Sequence, residues 1–121
     1  RKERPVQIIR AQERPVQKEE EIVYEELARP ASSDAANSIE SYMLKIPVSA
    51  HTHRGSYGHL GREVGIIIQG RAKLTYENKE YILETGDSVS FSAGAPHLLE
   101  NIGDVELQAI WVMTPAQRFV K

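Results

Sequence analysis

The residues best equipped for chemistry are four histidines and the carboxylates near them. His59 precedes Glu63 by one short stretch, and Glu63 opens an apolar run, Val64 to Ile68, that leads to Gly70. His97 lies far downstream, directly after Pro96. An imidazole, a carboxylate and a second imidazole on one side of a metal suit non-haem iron(II), with the other coordination positions left for ligand or oxygen. Zinc, nickel or manganese fit such donors as well. The chain has no cysteine, which excludes disulfides, thiolate metal sites and a cysteine nucleophile. Any metal must therefore be held by histidine and carboxylate.

Such side chains need rigid elements behind them. If Glu63 opens a strand, the side chains of Glu63, Gly65, Ile67 and Gln69 share one face, because side chains alternate along a strand. Gly65 then leaves open space beside the carboxylate. The same period of two recurs from Ile39 onward. Tyr42, Leu44, Ile46 and Val48 share a face, followed by Ala72, Leu74 and Tyr76, then Tyr81 and Leu83, then Val89 and Phe91. Val105, Leu107, Ala109, Trp111 and Met113 close the series. Glu77-Asn78-Lys79-Glu80 predicts a hairpin turn, and Gly70 and Gly86 stand where short strands must bend or end. Short strands with turn signals roughly every 8–12 residues, and no long helical pattern, predict an all-β sandwich or closed barrel.

Upstream the pattern is different. Residues 1–35 read as a charged N-terminal arm or linker and 36–121 as the barrel. Glu3-Arg4-Pro5-Val6-Gln7 recurs as Glu13-Arg14-Pro15-Val16-Gln17, but two copies of so short a segment do not make a repeat protein. The arm reads either as one edge strand around Val6 to Ile9, ended by Pro15, or as a solvated tail. Lys18 to Leu27 reads as a helical turn or a charged edge strand, and Ala31 to Asn37 has the composition of a loop. The first residue is Arg rather than Met, which predicts a piece of something longer.

The 121 residues, 40% hydrophobic and 26% charged, are those of one ordinary globular domain. A net charge of −2 without a concentrated Lys/Arg face predicts poor binding of DNA by this chain itself. No apolar run of about 18 residues could span a bilayer, and nothing reads as a signal peptide. The expectation is a cytoplasmic protein with no membrane partner.

At the level of motifs the sequence resembles the cupin superfamily. Its first motif is a His-x-His pair followed at short spacing by Glu and then Gly, and Tyr57-Gly58-His59-Leu60-Gly61-Arg62-Glu63 followed by Gly70 matches it. Tyr57 stands where the first His would be. The second motif places Gly, Pro-x-Gly, His and Asn in order. Gly86, Ser92-Ala93-Gly94, His97 and Asn101 match it, with Ser92 in place of the Pro.

The resemblance implies a double-stranded β-helix, or jelly-roll barrel, with His59, Glu63 and His97 as ligands of a divalent metal. It leaves Tyr57 as a pocket residue or weak ligand. Arg62, Gln69, Tyr42 and Trp111 would line a pocket for a small polar or anionic molecule. His51 and His53 lie too far before Glu63 to fit the motif. Either one bends in as a fourth ligand, or both sit on a loop in water.

Within the cupins the chain resembles the C-terminal sensor domain of bacterial helix-turn-helix regulators. The likeness rests on Gly58 to Gly65, Leu83 to Ser88, Pro96-His97, Asn101 and the closing Ile110-Trp111-Val112-Met113-Thr114-Pro115. In that family the cupin binds an effector and holds a homodimer, while an N-terminal helical domain binds operator DNA. These residues carry no pair of apolar-periodic helices of that kind, so DNA would be reached only through an upstream domain. The alternative is a stand-alone metal-dependent enzyme, an iron oxygenase, an epoxidase-like enzyme or an isomerase. No pocket residue reads as a committed general base, which favours sensing over catalysis.

Overall fold

The computed structural model describes residues 6–29 and 38–116. Among them are nine strands: β1 (Val16–Glu19), β2 (Ile22–Ala28), β3 (Glu40–Ile46), β4 (Arg62–Gln69), β5 (Ala72–Tyr76), β6 (Lys79–Leu83), β7 (Ser88–Ser92), β8 (His97–Asn101) and β9 (Leu107–Thr114). They pair antiparallel throughout, in a six-stranded sheet of order β1-β2-β3-β9-β4-β7 and a three-stranded sheet of order β6-β5-β8. The chain is all-β, as its alternation predicts.

Alternation also decides what the sheets enclose. Tyr42, Leu44 and Ile46 of β3, Ile67 of β4, Ala72 and Leu74 of β5, and Leu107, Ala109, Trp111 and Met113 of β9 are buried in one apolar cluster. Each Ile or Leu fully buried there contributes about 1.5–3 kcal/mol. The ends of the expected stripes fall outside: Val48 follows Pro47 off β3, and Val105 precedes β9, and both are exposed. Tyr81 is exposed as well, on the edge strand β6. The hairpin turn reduces to Glu77 and Asn78, both at positive φ (50° and 67°), the geometry of a two-residue turn that follows the twist of its strands.

The N-terminal reading needs one correction and one decision between alternatives. Val6 to Ile9 is not a strand: Val6 and Ile8 are exposed, and a side chain rather than a ladder ties the segment down. Gln7 Oε1 accepts from the Arg29 amide at 2.6 Å. Of the two readings of the charged stretch after it, the strand holds and the helical turn does not: it is the β1–β2 hairpin, with β1 at the sheet edge, and β2 runs beside β3 as part of the wall. Ile22 and Tyr24 alternate inward while Glu25 faces out between Arg14 (3.0 Å) and Lys45 (2.8 Å). The run of glutamates masks this period of two.

Gln69 is a second correction. The β4–β9 pairing shifts register between Ile67 and Gln69, and that bulge turns Gln69 outward, where its amide donates to the Glu106 carbonyl at 2.9 Å.

Candidate metal centre

Three elements bring the chemistry together. Glu63 sits near the start of β4 facing inward and is only 5% exposed. His97 opens β8 on the opposite sheet. His59 comes from the loop before β4, whose backbone is pinned by its own amide to the Ala93 carbonyl (2.7 Å) and by the Ala93 amide to the Gly61 carbonyl (2.8 Å). His59 Nε2 lies 2.5 Å and His97 Nε2 3.0 Å from the same oxygen, Glu63 Oε2. One donor atom from each of the three residues falls within 4.8 Å of the others.

The orientation of both rings is set from behind. His59 Nδ1 faces the Leu60 carbonyl at 3.2 Å, and His97 Nδ1 faces the Ala95 carbonyl at 2.8 Å. A carbonyl only accepts, so each Nδ1 carries its ring hydrogen and Nε2 is the inward atom, as in histidines that bind metal. In the neutral rings both Nε2 atoms then present lone pairs to a carboxylate oxygen that also has only lone pairs to offer. The cluster therefore calls for a positive charge, either a proton on an imidazole or a cation at the centre. Donors held about 2.0–2.2 Å from one metal lie roughly 3 Å from each other, close to the separations here. These three residues fit a divalent ion.

The electrostatics carry the same signature. Burial raises the Glu63 carboxyl, but hydrogen bonds from His97 and Trp111 and the charges of both imidazoles outweigh it, leaving it below its ordinary value. Burial lowers His97, and hydrogen bonds to Glu63 and to the Ala95 carbonyl, with the Glu63 charge, reverse that and leave it raised.

Trp111 completes the carboxylate. Its indole Nε1 donates to Glu63 Oε1 at 2.5 Å, so one oxygen is held by the wall and the other faces the imidazoles. The space predicted at Gly65 is thus filled. A Cβ there would run into the six-membered ring of Trp111, so glycine is needed to let the indole reach the carboxylate. Gly55 does the same for His97, whose ring occupies the place of its missing side chain.

The centre opens on a cavity of about 330 Å³ lined by Tyr42, Leu44, Leu74, Leu99, Trp111 and Met113, among others. Of the residues expected to line a pocket, Tyr42 and Trp111 do so. Arg62 and Gln69 face out from β4, and Tyr57 is 95% exposed. Tyr57 lies in a turn closed by the Gly58 amide on the Gly55 carbonyl (3.0 Å), with Gly58 at φ 76°, and that turn carries its ring away from the barrel.

Sequence reasoning missed Arg54, Tyr24 and Glu40, which also line the cavity. The Arg54 guanidinium stacks on Tyr24 (3.9 Å to the ring centroid), donates to Glu19 (2.8 Å) and Gln17 (3.0 Å), and lies 3.6 Å from Glu40. Glu40 in turn accepts from the Tyr42 hydroxyl. A signal existed: in an extended His51 to Arg54, Thr52 and Arg54 point one way and the two histidines the other.

The sequence profile of the Cupin domain family matches residues 43–113. The uncharacterized protein MJ1618 of Methanocaldococcus jannaschii is 29% identical over 70 residues, 58% of this chain and 55% of that protein. The chain therefore spans about half the length of that relative. Hydroxypropylphosphonic acid epoxidase from S. wedmorenis superposes with a TM-score of 0.73 at 24% identity, over 89% of this chain and 59% of the epoxidase. The cupin domain of an XRE-family transcriptional regulator from Enterobacter cloacae superposes with a TM-score of 0.66 at 15% identity, covering 76% of this chain and 94% of that one. At these identities the two structures establish a shared fold.

Proposed function

The chain belongs to the cupin family, and we propose that it is the effector-sensing, dimerising cupin domain of a bacterial helix-turn-helix regulator, working in the cytoplasm. In this reading a small molecule enters the barrel cavity and meets a divalent metal held by His59, Glu63 and His97. The bound ion would supply a Lewis-acidic position for an oxygen or nitrogen donor of the effector. The observation that carries the reading is that the three-residue centre opens on a largely apolar cavity of about 330 Å³, a size and lining suited to one small ligand.

Sensing is favoured over catalysis by how the remaining polar groups of the cavity are engaged. Tyr42 donates to Glu40, and Arg54 is fastened to Glu19 and Gln17, so these groups shape and hold the wall. The likeness to a regulator's cupin domain supports the same reading. The second reading is a metal-dependent enzyme, favoured by the likeness to the epoxidase and by a centre with one side facing the cavity. Among the described residues no helix is long and apolar enough to cross a membrane.

One experiment separates the two. The metal-loaded protein is screened against small polar and anionic compounds by thermal shift, and each compound that stabilises it is incubated with the iron(II)-loaded protein in air. Recovery of the compound unchanged, with saturable binding, supports the sensor. Its conversion with turnover contradicts the sensor and supports the enzyme.

A further inference from the structure

The cavity has a second polar pole, and the strand register places it. β9 lies between β3 and β4, and Met113 is the partner of Glu40 on one side and of Glu63 on the other. The three side chains form one inward row, so the two carboxylates stand two strand spacings apart, roughly 9–10 Å along the sheet. In the next inward row Tyr42 and Trp111 are partners, and each donates to the carboxylate beside it, Tyr42 to Glu40 and Trp111 to Glu63. Met113 separates the poles on this sheet, and Leu74 and Leu99 line the facing one. Thr52 and Arg54 reach the cavity from the loop before β4, whereas His51 and His53 are exposed and do not join it.

The two poles differ in the sign of their charge. A divalent ion held with Glu63 leaves the barrel centre with an excess of positive charge. At the other pole the excess is negative. Arg54 is the single Lys or Arg on the cavity wall among the described residues, and its guanidinium is bonded to Glu19 at 2.8 Å, with Glu40 farther off at 3.6 Å. Glu40 is buried, and so is Glu26, which accepts from the Gln17 amide at 3.1 Å. Gln17 in turn accepts from Arg54, so three carboxylates share one guanidinium, directly or through Gln17. The donors of this wall are turned to protein acceptors: Tyr42 to Glu40, Gln17 to Glu26, and Arg54 to Glu19 and Gln17. A carboxylate only accepts and takes several donors at once, so this pole is built to receive a hydrogen-bond donor, and its charge favours a cation.

We propose that the cavity takes a small zwitterion, an ω-amino acid of about three to five carbons, with its carboxylate at the metal held by His59, Glu63 and His97 and its ammonium group at Glu40. Glu40 is then the residue that sets the specificity. The inference rests on the reading of the barrel as a small-molecule site and adds to it the class of the ligand.

The test is calorimetry on the zinc(II)-loaded full chain with four compounds alike in length and different at the far end: 4-aminobutyrate, 4-hydroxybutyrate, pentanoate and glutarate. 4-Aminobutyrate should bind about tenfold or more tighter than 4-hydroxybutyrate and pentanoate. Glutarate, which sets a second carboxylate against Glu40, should bind weakest. In E40Q the preference for the ammonium group should disappear while the zinc stoichiometry stays that of the wild type, and the wild-type ranking is a sufficient test if E40Q does not fold. Pentanoate binding as tightly as 4-aminobutyrate, a preference that survives in E40Q, or no binding of any of the four would overturn the assignment. The zinc stoichiometry reports separately on the metal centre and the thermal-shift screen on the sensing role, so both can stand while the ligand class falls.

Discussion

Glu63 is asked to do two things at once, and Trp111 makes that possible by taking one carboxylate oxygen and leaving the other for the imidazoles. Replacing Trp111 with Phe removes a charge-assisted hydrogen bond to a buried group, a loss of about 1.5–3 kcal/mol. Metal affinity should fall by about tenfold or more, as for other residues that orient a ligand from behind. Urea denaturation and metal titration of W111F check the two parts. Gly65→Ala forces a methyl group against the indole and should cost about 1–3 kcal/mol by the same denaturation measurement.

The pH dependence of the metal-free protein follows from the same cluster. Glu63 is held below its ordinary 4.5, so its contribution is complete above 4.5 and is lost as pH falls through the lowered value. His97 is held above its ordinary 6.5, so its contribution is complete below 6.5 and is lost as pH rises through the raised value. The difference in unfolding free energy between wild type and H97Q, both metal-free, should therefore be greatest between 4.5 and 6.5 and shrink on either side. A difference that is flat from acid to alkaline pH would contradict this account of the pair.

At the scale of elements, the β1–β2 hairpin depends on Arg54, whose guanidinium links Glu19 and Gln17 to the loop that carries His51 and His53. Arg54→Ala should speed amide exchange in β1 and β2 by about tenfold, equivalent to roughly 1.4 kcal/mol of local stability. Exchange in β3, β4 and β9 should change little.

This hairpin also marks where the sequence stopped being legible. Strands β3, β5, β7 and β9 declare themselves because one face meets the core and the other does not, which writes a period of two in apolar residues, whereas β8, which carries His97, shows no such stripe. In β2 the inward positions are Ile22, Tyr24 and Glu26, and the last is a carboxylate, so the pattern breaks under a run of charge. Similarly, β4 alternates as read until a bulge, invisible to periodicity, turns Gln69 out. The convergence of His59, Glu63 and His97 could be inferred from motif spacing. Alternation from Thr52 could have pointed Arg54 inward, but Tyr24 and Glu40 could not be placed with it, because their shared cavity depends on how β2, β3 and the loop before β4 meet in space.

For the molecule as a whole, the proposed homodimer needs a surface, and the outer face of β4 offers one. Val64, Ile66 and Ile68 are exposed in a row beside the half-buried Ile110 and Val112 of β9. A row of exposed aliphatic side chains on a sheet face is characteristic of association surfaces. Sedimentation should find a dimer for the wild type and a monomer for Ile66→Glu. A wild-type chain that stays monomeric at high concentration would remove dimerisation from the proposed role.

The claim on which the rest depends is that the two imidazoles and the carboxylate inside the barrel hold a metal together. X-ray absorption spectroscopy of the protein carrying one equivalent of iron(II) or cobalt(II) tests it most directly. The predicted inner shell contains two imidazole nitrogens and a carboxylate oxygen, and E63Q and H97A each lose one of them. A shell made only of light oxygen scatterers, or one that H97A leaves unchanged, would contradict it.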